Sequence, residues 1–336
     1  MNRIIVLCLL LCAVACGEKE AFIKNVSSGA ALGTTYNLVY LTADEPLDLQ
    51  GQIDSVFQAV NRSLSTYLPD SDISKINRGD STVVVDAMFR EVFSMAKDVH
   101  RATKGYFDPT VGLLVNAWGF GPGERMKMDS AQVLALKSRV GFDMVSLTPE
   151  GLVKMEKPGM YLDFNAIAKG YAIDRLAKLM DSHYIDDYLL EVGGELVAKG
   201  ENRIRHKLWV VGIDDPQMET TRQLKTTIRL KDKGLASSGN YRHFRVDEKT
   251  GAKYVHTIDP ITGFTKNART LGATIVANNC ATADAYATAF MAMDLDEALI
   301  LLTEDHELEA YLIYIDQNGE VVEFMTPGFK EMVVGP

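Results

Sequence analysis

The sequence predicts an α+β fold in which antiparallel sheets are flanked by helices. Strand-like and helix-like stretches come in clusters, not in strict alternation, which disfavours a doubly wound sheet. No Gly-x-Gly-x-x-Gly opens a helix, so the dinucleotide fingerprint of the alternating folds is absent. At 336 residues and 47% hydrophobic, the chain can bury a large core in one elaborated domain or two ordinary ones.

The first residues read as a targeting segment. Met1-Asn2-Arg3 is a short positive region, residues 4–12 are apolar but too few to span a bilayer, and Ala13-Val14-Ala15 precedes Cys16. Residues 1–15 are therefore expected to be a signal peptide, and Cys16 the lipid-bearing first residue of a mature lipoprotein. An ordinary secreted protein would share the same cleavage point. Residues 16–30 read as a lipid-anchored tether and residues 31–336 as the functional domain. Cys8 and Cys12 leave with the signal, so Cys280 is alone and no internal disulfide can form in the mature chain.

The elements follow in order. Residues 31–41 become strand-like, with β-branched and aromatic residues. Ile53, Val56, Phe57, Val60 and Leu64 recur at helical spacing. A turn-rich loop over 64–74 carries Tyr67, which either stacks on a base or packs its own loop. A second helix spans 86–103. Two glycine-bearing runs, 105–112 and 116–123, read as loops around Trp118, which is either a pocket wall or a loop anchor. A third helix spans 129–140. Residues 161–164 read as a short strand, Asn165 as a helix cap, and Ile173, Leu176, Ala177 and Met180 as the apolar stripe of the next helix. Residues 188–198 form a strand interrupted at Gly193-Gly194 by a bulge or a close backbone approach. Strands are expected at 208–213, 226–230 and 234–237, with a turn at 237–241. A strand from 254 enters a tight turn near Gly263, and a buried strand at 272–277 leads to a helix carrying Asp284. A further helix begins near Glu297. Residues 311–325 close the chain as a hairpin around Asp316-Gln317-Asn318-Gly319.

The chemistry concentrates in two stretches. Asp284 and Thr288 are four apart on one helix face, and a carboxylate above a hydroxyl is half of a hard-cation site, because Mg²⁺ prefers oxygen. Lys169 falls in the first turn of its helix, where the macrodipole favours anions. A phosphate bound by that helix start and by the ammonium together would explain the conflict. The structural alternative pairs Lys169 with Asp163 or Asp174. Cys280, one turn before Asp284, is read as packing in preference to ligation. The formal net charge of −10 argues against a nucleic-acid partner, and no zinc motif, P-loop or nucleophile elbow is present.

Nine motifs, in one order, resemble the ApbE family. They are Leu-Gly-Thr-Thr-Tyr (32–36), Ser-Thr-Tyr (65–67) with Asp-Ser-Asp-Ile-Ser (70–74), Phe-Asp-Pro-Thr-Val-Gly (107–112), Trp-Gly-Phe-Gly-Pro (118–122), Asp-Phe-Asn-Ala-Ile-Ala-Lys-Gly-Tyr-Ala-Ile-Asp (163–174), Glu-Val-Gly-Gly (191–194), Ser-Ser-Gly-Asn-Tyr (237–241), His-Thr-Ile-Asp-Pro-Ile-Thr-Gly (256–263) and Ala-Asp-Ala-Tyr-Ala-Thr-Ala (283–289). The resemblance implies an ApbE-like, T-fold-related core and an FAD:protein FMN transferase. Such an enzyme splits FAD in the presence of Mg²⁺, releases AMP and joins FMN through a phosphoester to a threonine or serine of a partner, resembling the flavin-carrying subunits of Nqr- and Rnf-type complexes. It also implies an envelope protein, lipid-anchored with its catalytic domain in the periplasm. Carried over, the metal ligands are Asp284, Thr288 and the main-chain carbonyl of Ala166. The FAD contacts are Leu32, Tyr67, Phe107, Asp108, Pro109, Asp163, Lys169 and His256. His256 or Asp284 would take the acceptor's proton, with Lys169 stabilising charge. Two departures stand out: Leu32 where the family often has Met, and Ala281 where it often has a second acid. The alternatives are an FAD pyrophosphatase releasing FMN and AMP, and a non-enzymatic flavin-binding lipoprotein.

Overall fold

The computed structural model describes residues 22–43, 45–215, 223–239, 244–246, 253–255, 257–266 and 269–335. The signal segment, Cys16 and His256 lie outside the described residues. The first half of the chain forms β1 (Phe22–Ala31), β2 (Thr34–Ala43), α1 (Gln50–Leu64), α2 (Asp72–Asn77), α3 (Ala87–Ala102), α4 (Gly112–Trp118), α5 (Ser130–Lys137), β3 (Val145–Leu147), β4 (Val153–Met155) and α6 (Asn165–Ser182). The middle forms β5 (Tyr188–Val192), β6 (Glu195–Lys199), β7 (Trp209–Asp214), β8 (Leu224–Leu230), β9 (Lys233–Gly239), β10 (Phe244–Val246), β11 (Lys253–Val255) and β12 (Thr270–Ala277). The end forms α7 (Cys280–Ala292), α8 (Leu295–Glu304), β13 (Glu309–Ile315), β14 (Val321–Met325), α9 (Pro327–Met332) and β15 (Val333–Gly335).

This is the α+β class expected. An eight-stranded sheet runs β1-β2-β5-β6-β9-β12-β13-β14, and every neighbouring pair is antiparallel. Its residues alternate between two cores with the period of a strand. Leu190, Val192, Val197, Ala236, Ala273 and Ile275 face the helices α1, α3, α6 and α7, while Leu196, Ala198, Leu235, Val276 and Tyr311 face the small sheet β15-β8-β7 and Phe329 of α9. Four of the helices, α2, α3, α5 and α7, begin at a side-chain cap. Asp86 accepts the Phe89 amide ahead of α3, Asp129 closes a capping box ahead of α5, and each such cap stabilises its helix by about 1 kcal/mol.

Several expectations are corrected. The tether does not reach residue 30: Phe22–Ala31 is β1, paired residue for residue with β2. Its buried positions are Asn25 and Ser27, so it lacks apolar alternation. Asn25 holds it instead, donating to Thr42 Oγ1 at 2.9 Å and accepting the Leu47 amide at 2.9 Å. Residues 161–164 form no strand. Asn77 bonds both the amide and the carbonyl of Leu162 at 2.8 Å, which replaces a ladder. Gly193-Gly194 is not a bulge but a two-residue turn between β5 and β6, with φ of 65° and 109°. Residues 112–118, where no helix is expected from the sequence, form α4, which stops at Gly119 in the left-handed conformation. Ser237 to Gly239 continue β9 instead of turning, and Asn240 and Tyr241 lie outside the described residues.

Candidate active site

The antiparallel registers bring three chain segments to one rim of the large sheet. Tyr36 pairs with Val192 and Leu196 with Leu235, so the β1–β2 turn, the β5–β6 turn and the end of β9 lie together. Gly193 packs against Thr34: a Cβ there would come within 2.8 Å of the Thr34 methyl. The β1–β2 turn is Leu32-Gly33, with φ of 52° and 76°, the left-handed pair of a tight hairpin. A leucine in that conformation is strained by about 1–2 kcal/mol. Its side chain lines a cleft of about 660 Å³ between the sheet rim, α6, α7 and the 107–121 segment.

The floor of the cleft is the junction of α6 and α7. Their backbones touch at Gly170, where an added Cβ would lie 2.4 Å from the Cys280 carbonyl oxygen. Gly234 of β9 makes the same approach from the other side, at 2.4 Å from the Cys280 amide nitrogen. Asp174 accepts the amides of Cys280 and Ala281 at 2.8 and 2.9 Å, and Asn279 accepts that of Thr282 at 2.8 Å, so the N-terminus of α7 is capped from two elements. Burial pushes the Asp174 carboxyl up to about 6 against the pull of those amides.

That junction sets Asp284. An α-helix directs the Gly170 amide at the Ala166 carbonyl. Here this amide donates to Asp284 Oδ2 at 3.1 Å, which brings the carboxylate beside that carbonyl. Thr288 lies one turn further along the same face of α7 and lines the same cleft. The residues expected to hold a cation thus converge, and all offer oxygen. Among the described residues no cluster of three or more His, Cys, Asp or Glu side chains has metal-binding geometry. A cation here would accordingly take a mixed set of carboxylate, hydroxyl and carbonyl ligands.

Lys169 points into the cleft but is not paired with Asp163 or Asp174. Its ammonium bonds Glu195 Oε1 and lies 3.9 Å from Asp284 Oδ1. Burial alone would lower the lysine; Asp284 and then Glu195 outweigh it and hold the ammonium well above its ordinary range. Glu195 is 5% exposed, and burial pushes its carboxyl up to about 7, with Lys169 opposing and Asp284 reinforcing. Glu195 escaped the sequence reading. Its signal was the acid immediately after Gly193-Gly194, where β6 starts at the rim.

The opposite wall is the 107–121 segment. His100 Nδ1 donates to the Phe107 carbonyl at 2.8 Å. Asp108 lines the cleft, but its carboxylate is committed to the fold. It accepts Thr110 N at 2.7 Å, Thr110 Oγ1 at 2.5 Å and Phe142 N at 3.1 Å. What Asp108 offers a ligand is therefore its backbone and the rigidity of its loop. Asp163 donates its amide to the Pro109 carbonyl at 2.7 Å, tying this wall to the start of α6. Its carboxylate accepts the Asn165 amide at 2.8 Å, so Asp163 does the capping expected of Asn165. Burial pushes this carboxyl up to about 6. Tyr67, 62% exposed, stands at the mouth. Trp118 is an anchor, not a wall: its Nε1 donates to the Gly263 carbonyl at 3.1 Å and it does not line the cleft. Cys280 is buried with its Sγ 3.5 Å from the Leu235 carbonyl, a packing contact. Thr257, Ile258 and Pro260, which follow His256 in the sequence, line the cleft.

Comparisons with known proteins agree with this geometry. The ApbE family profile matches residues 32–312. The FAD:protein FMN transferase of Haemophilus influenzae is 33% identical over 345 residues, covering 99% of this chain and 97% of that protein. The solved flavin transferase ApbE from Vibrio cholerae superposes with a TM-score of 0.82 at 31% identity, covering 93% of this chain and all of that one. The apo flavinyl transferase ApbE of Pseudomonas stutzeri superposes with a TM-score of 0.81 at 26% identity, covering 93% and 97% of the two chains.

Proposed function

Because the chain belongs to the ApbE family, we infer that it is an FAD:protein FMN transferase working in the cleft between α6, α7 and the sheet rim. The observation that carries the assignment to this cleft is the Gly170–Asp284 hydrogen bond, which joins the two motifs richest in candidate ligands at one point. In the reaction an acceptor hydroxyl oxygen bonds the flavin-side phosphorus of FAD. The anhydride P–O bond breaks toward AMP, and the hydroxyl proton passes to a base. Phosphoryl transfer of this kind is chiefly positioning and charge neutralisation.

The residues divide that work. Leu32 and the Phe107–Pro109 wall give apolar and backbone surface for the flavin end, and Tyr67 at the mouth offers a stacking face for adenine. Lys169 supplies positive charge for the diphosphate. Asp284, Thr288 and the Ala166 carbonyl would hold Mg²⁺. When bound, that ion supplies charge neutralisation at the diphosphate. His256, next to the cleft-lining Thr257, is assigned proton acceptance from the acceptor hydroxyl. Flavin-carrying subunits of Nqr- or Rnf-type complexes are the proposed acceptors. The sequence of residues 1–16 supports export and lipid attachment at Cys16, with the catalytic domain in the periplasm. No helix among the described residues is long and apolar enough to cross a membrane.

The test is incubation with FAD, Mg²⁺ and an acceptor domain, followed by mass spectrometry. Covalent FMN on an acceptor threonine or serine, with AMP released, is expected. Free FMN without a modified acceptor would make the protein a hydrolase, and unchanged FAD would make it a binding protein.

A further inference from the structure

Glu195 enters the cleft as the first residue of β6, on the face that meets α6. Its Oε1 is engaged by Lys169, but its Oε2 is buried and has no hydrogen-bond partner. A buried carboxylate oxygen without a partner is costly, and native sites that keep one reserve it for an ion or a proton. The same ammonium that touches Glu195 lies 3.9 Å from Asp284 Oδ1. One positive charge therefore stands between two buried carboxylates, and the trio carries a surplus of negative charge. We propose that Glu195 is a second carboxylate ligand of the divalent cation held by Asp284, and that Lys169 is the resident counter-ion that keeps the place until that cation arrives. The proposal rests on reading the cleft as a divalent-cation site.

The side chains suit such an exchange. A lysine ammonium is a compact charge on a flexible stem, and the Lys169 side chain is 33% exposed toward the cleft. A divalent ion would balance both carboxylates and release the ammonium toward an incoming diphosphate. Each cation thereby prepares the site for the other partner: the lysine stops the two acids repelling each other before loading, and the metal frees the lysine afterwards. The scheme also accounts for the unpartnered Oε2, which a plain Lys169–Glu195 ion pair leaves idle.

Competition makes the proposal testable without turnover. The full chain is titrated with Mn²⁺ in the absence of FAD, with bound metal read by electron paramagnetic resonance and by the thermal shift it causes. Removing the counter-ion with Lys169→Met should tighten Mn²⁺ binding by about threefold or more and enlarge the thermal shift. Adding Glu195→Gln to that variant should then weaken binding by about tenfold, because one of two charged ligands is lost. The double variant removes both members of the Lys169–Glu195 pair together, so neither of the two is left as an unpaired buried charge. If Lys169→Met binds Mn²⁺ no tighter than the wild type, or if Glu195→Gln changes nothing in its background, the proposal is overturned while the cation site itself stands. If Asp284→Asn binds Mn²⁺ as well as the wild type, the cation-site reading itself falls.

Discussion

At the scale of single residues, the cleft is built from groups that serve ligand binding at some expense to the free protein. Leu32 holds a left-handed backbone that glycine would adopt without strain. Leu32→Gly is expected to leave stability unchanged or raise it by up to about 1 kcal/mol, the relieved strain being partly offset by a more flexible unfolded chain. The same change removes an apolar wall and should lower kcat/KM for FAD by about tenfold. Paired thermal melts and steady-state kinetics check both, and a parallel fall in stability and activity would show that the turn is not strained. Asp284 is the complementary case. Asp284→Asn keeps an oxygen for the Gly170 amide, so the fold should survive while FMN transfer falls by at least about a hundredfold. Asp284, Thr288 and Lys169 were legible in the sequence because helical spacing puts chemistry on a face. Glu195 was not, because its meaning lies in a contact with a residue 26 positions earlier, which no local period encodes. The carboxylate of Asp108 shows the converse. The resemblance implied a ligand contact at Asp108, whereas its bonds to Thr110 and Phe142 make its side chain a brace.

At the scale of elements, the site depends on how closely α6, α7 and β9 approach. Gly170→Ala would put a methyl group against the Cys280 backbone, which cannot rotate away as a side chain can. The expected outcome is a loss of about 1–3 kcal/mol in denaturant unfolding, together with weakened cation binding, because the two helices separate at the point where Asp284 meets α6. Asp174 sets a pH dependence on the same junction. Its carboxyl is raised from 3.8 to about 6, so between those values the native state keeps a proton that the unfolded chain has released. Its contribution to stability is therefore greatest below pH 4 and declines as the pH rises toward 6. Asp174→Asn should flatten that part of the profile of unfolding midpoint against pH, and an unaltered slope would refute the assignment. The helices with strong apolar periodicity and acidic caps were readable from sequence. β1 and α4 were not. β1 is an edge strand whose buried face is polar, and α4 is a short helix enclosed by glycines that resemble those of a loop.

At the scale of the whole molecule, the position of β1 decides where the catalytic unit begins. All ten residues of β1 pair with β2, and the hairpin they form carries Leu32 into the cleft. A chain starting at residue 32 would expose the edge of β2 and release the turn that positions Leu32, so it should aggregate or lose FAD binding. A chain starting at residue 22 keeps every one of those pairs. Under the proposed lipid anchor, residues 1–21 contribute targeting and tethering and nothing to catalysis. The shorter chain should thus be soluble, melt within a degree or two of the detergent-purified protein, and flavinylate a soluble acceptor domain at the same rate. Cys16→Ser in the full-length chain should shift the protein from the membrane fraction to the soluble fraction without altering that rate. The two variants separate anchoring from folding. If the chain starting at residue 22 is unstable, the segment before β1 belongs to the fold; if Cys16→Ser stays with the membrane, another contact holds it there. An enzyme that modifies membrane-bound acceptors gains encounter rate by sharing their surface, so the benefit of Cys16 should appear only with an embedded acceptor and vanish with a soluble one.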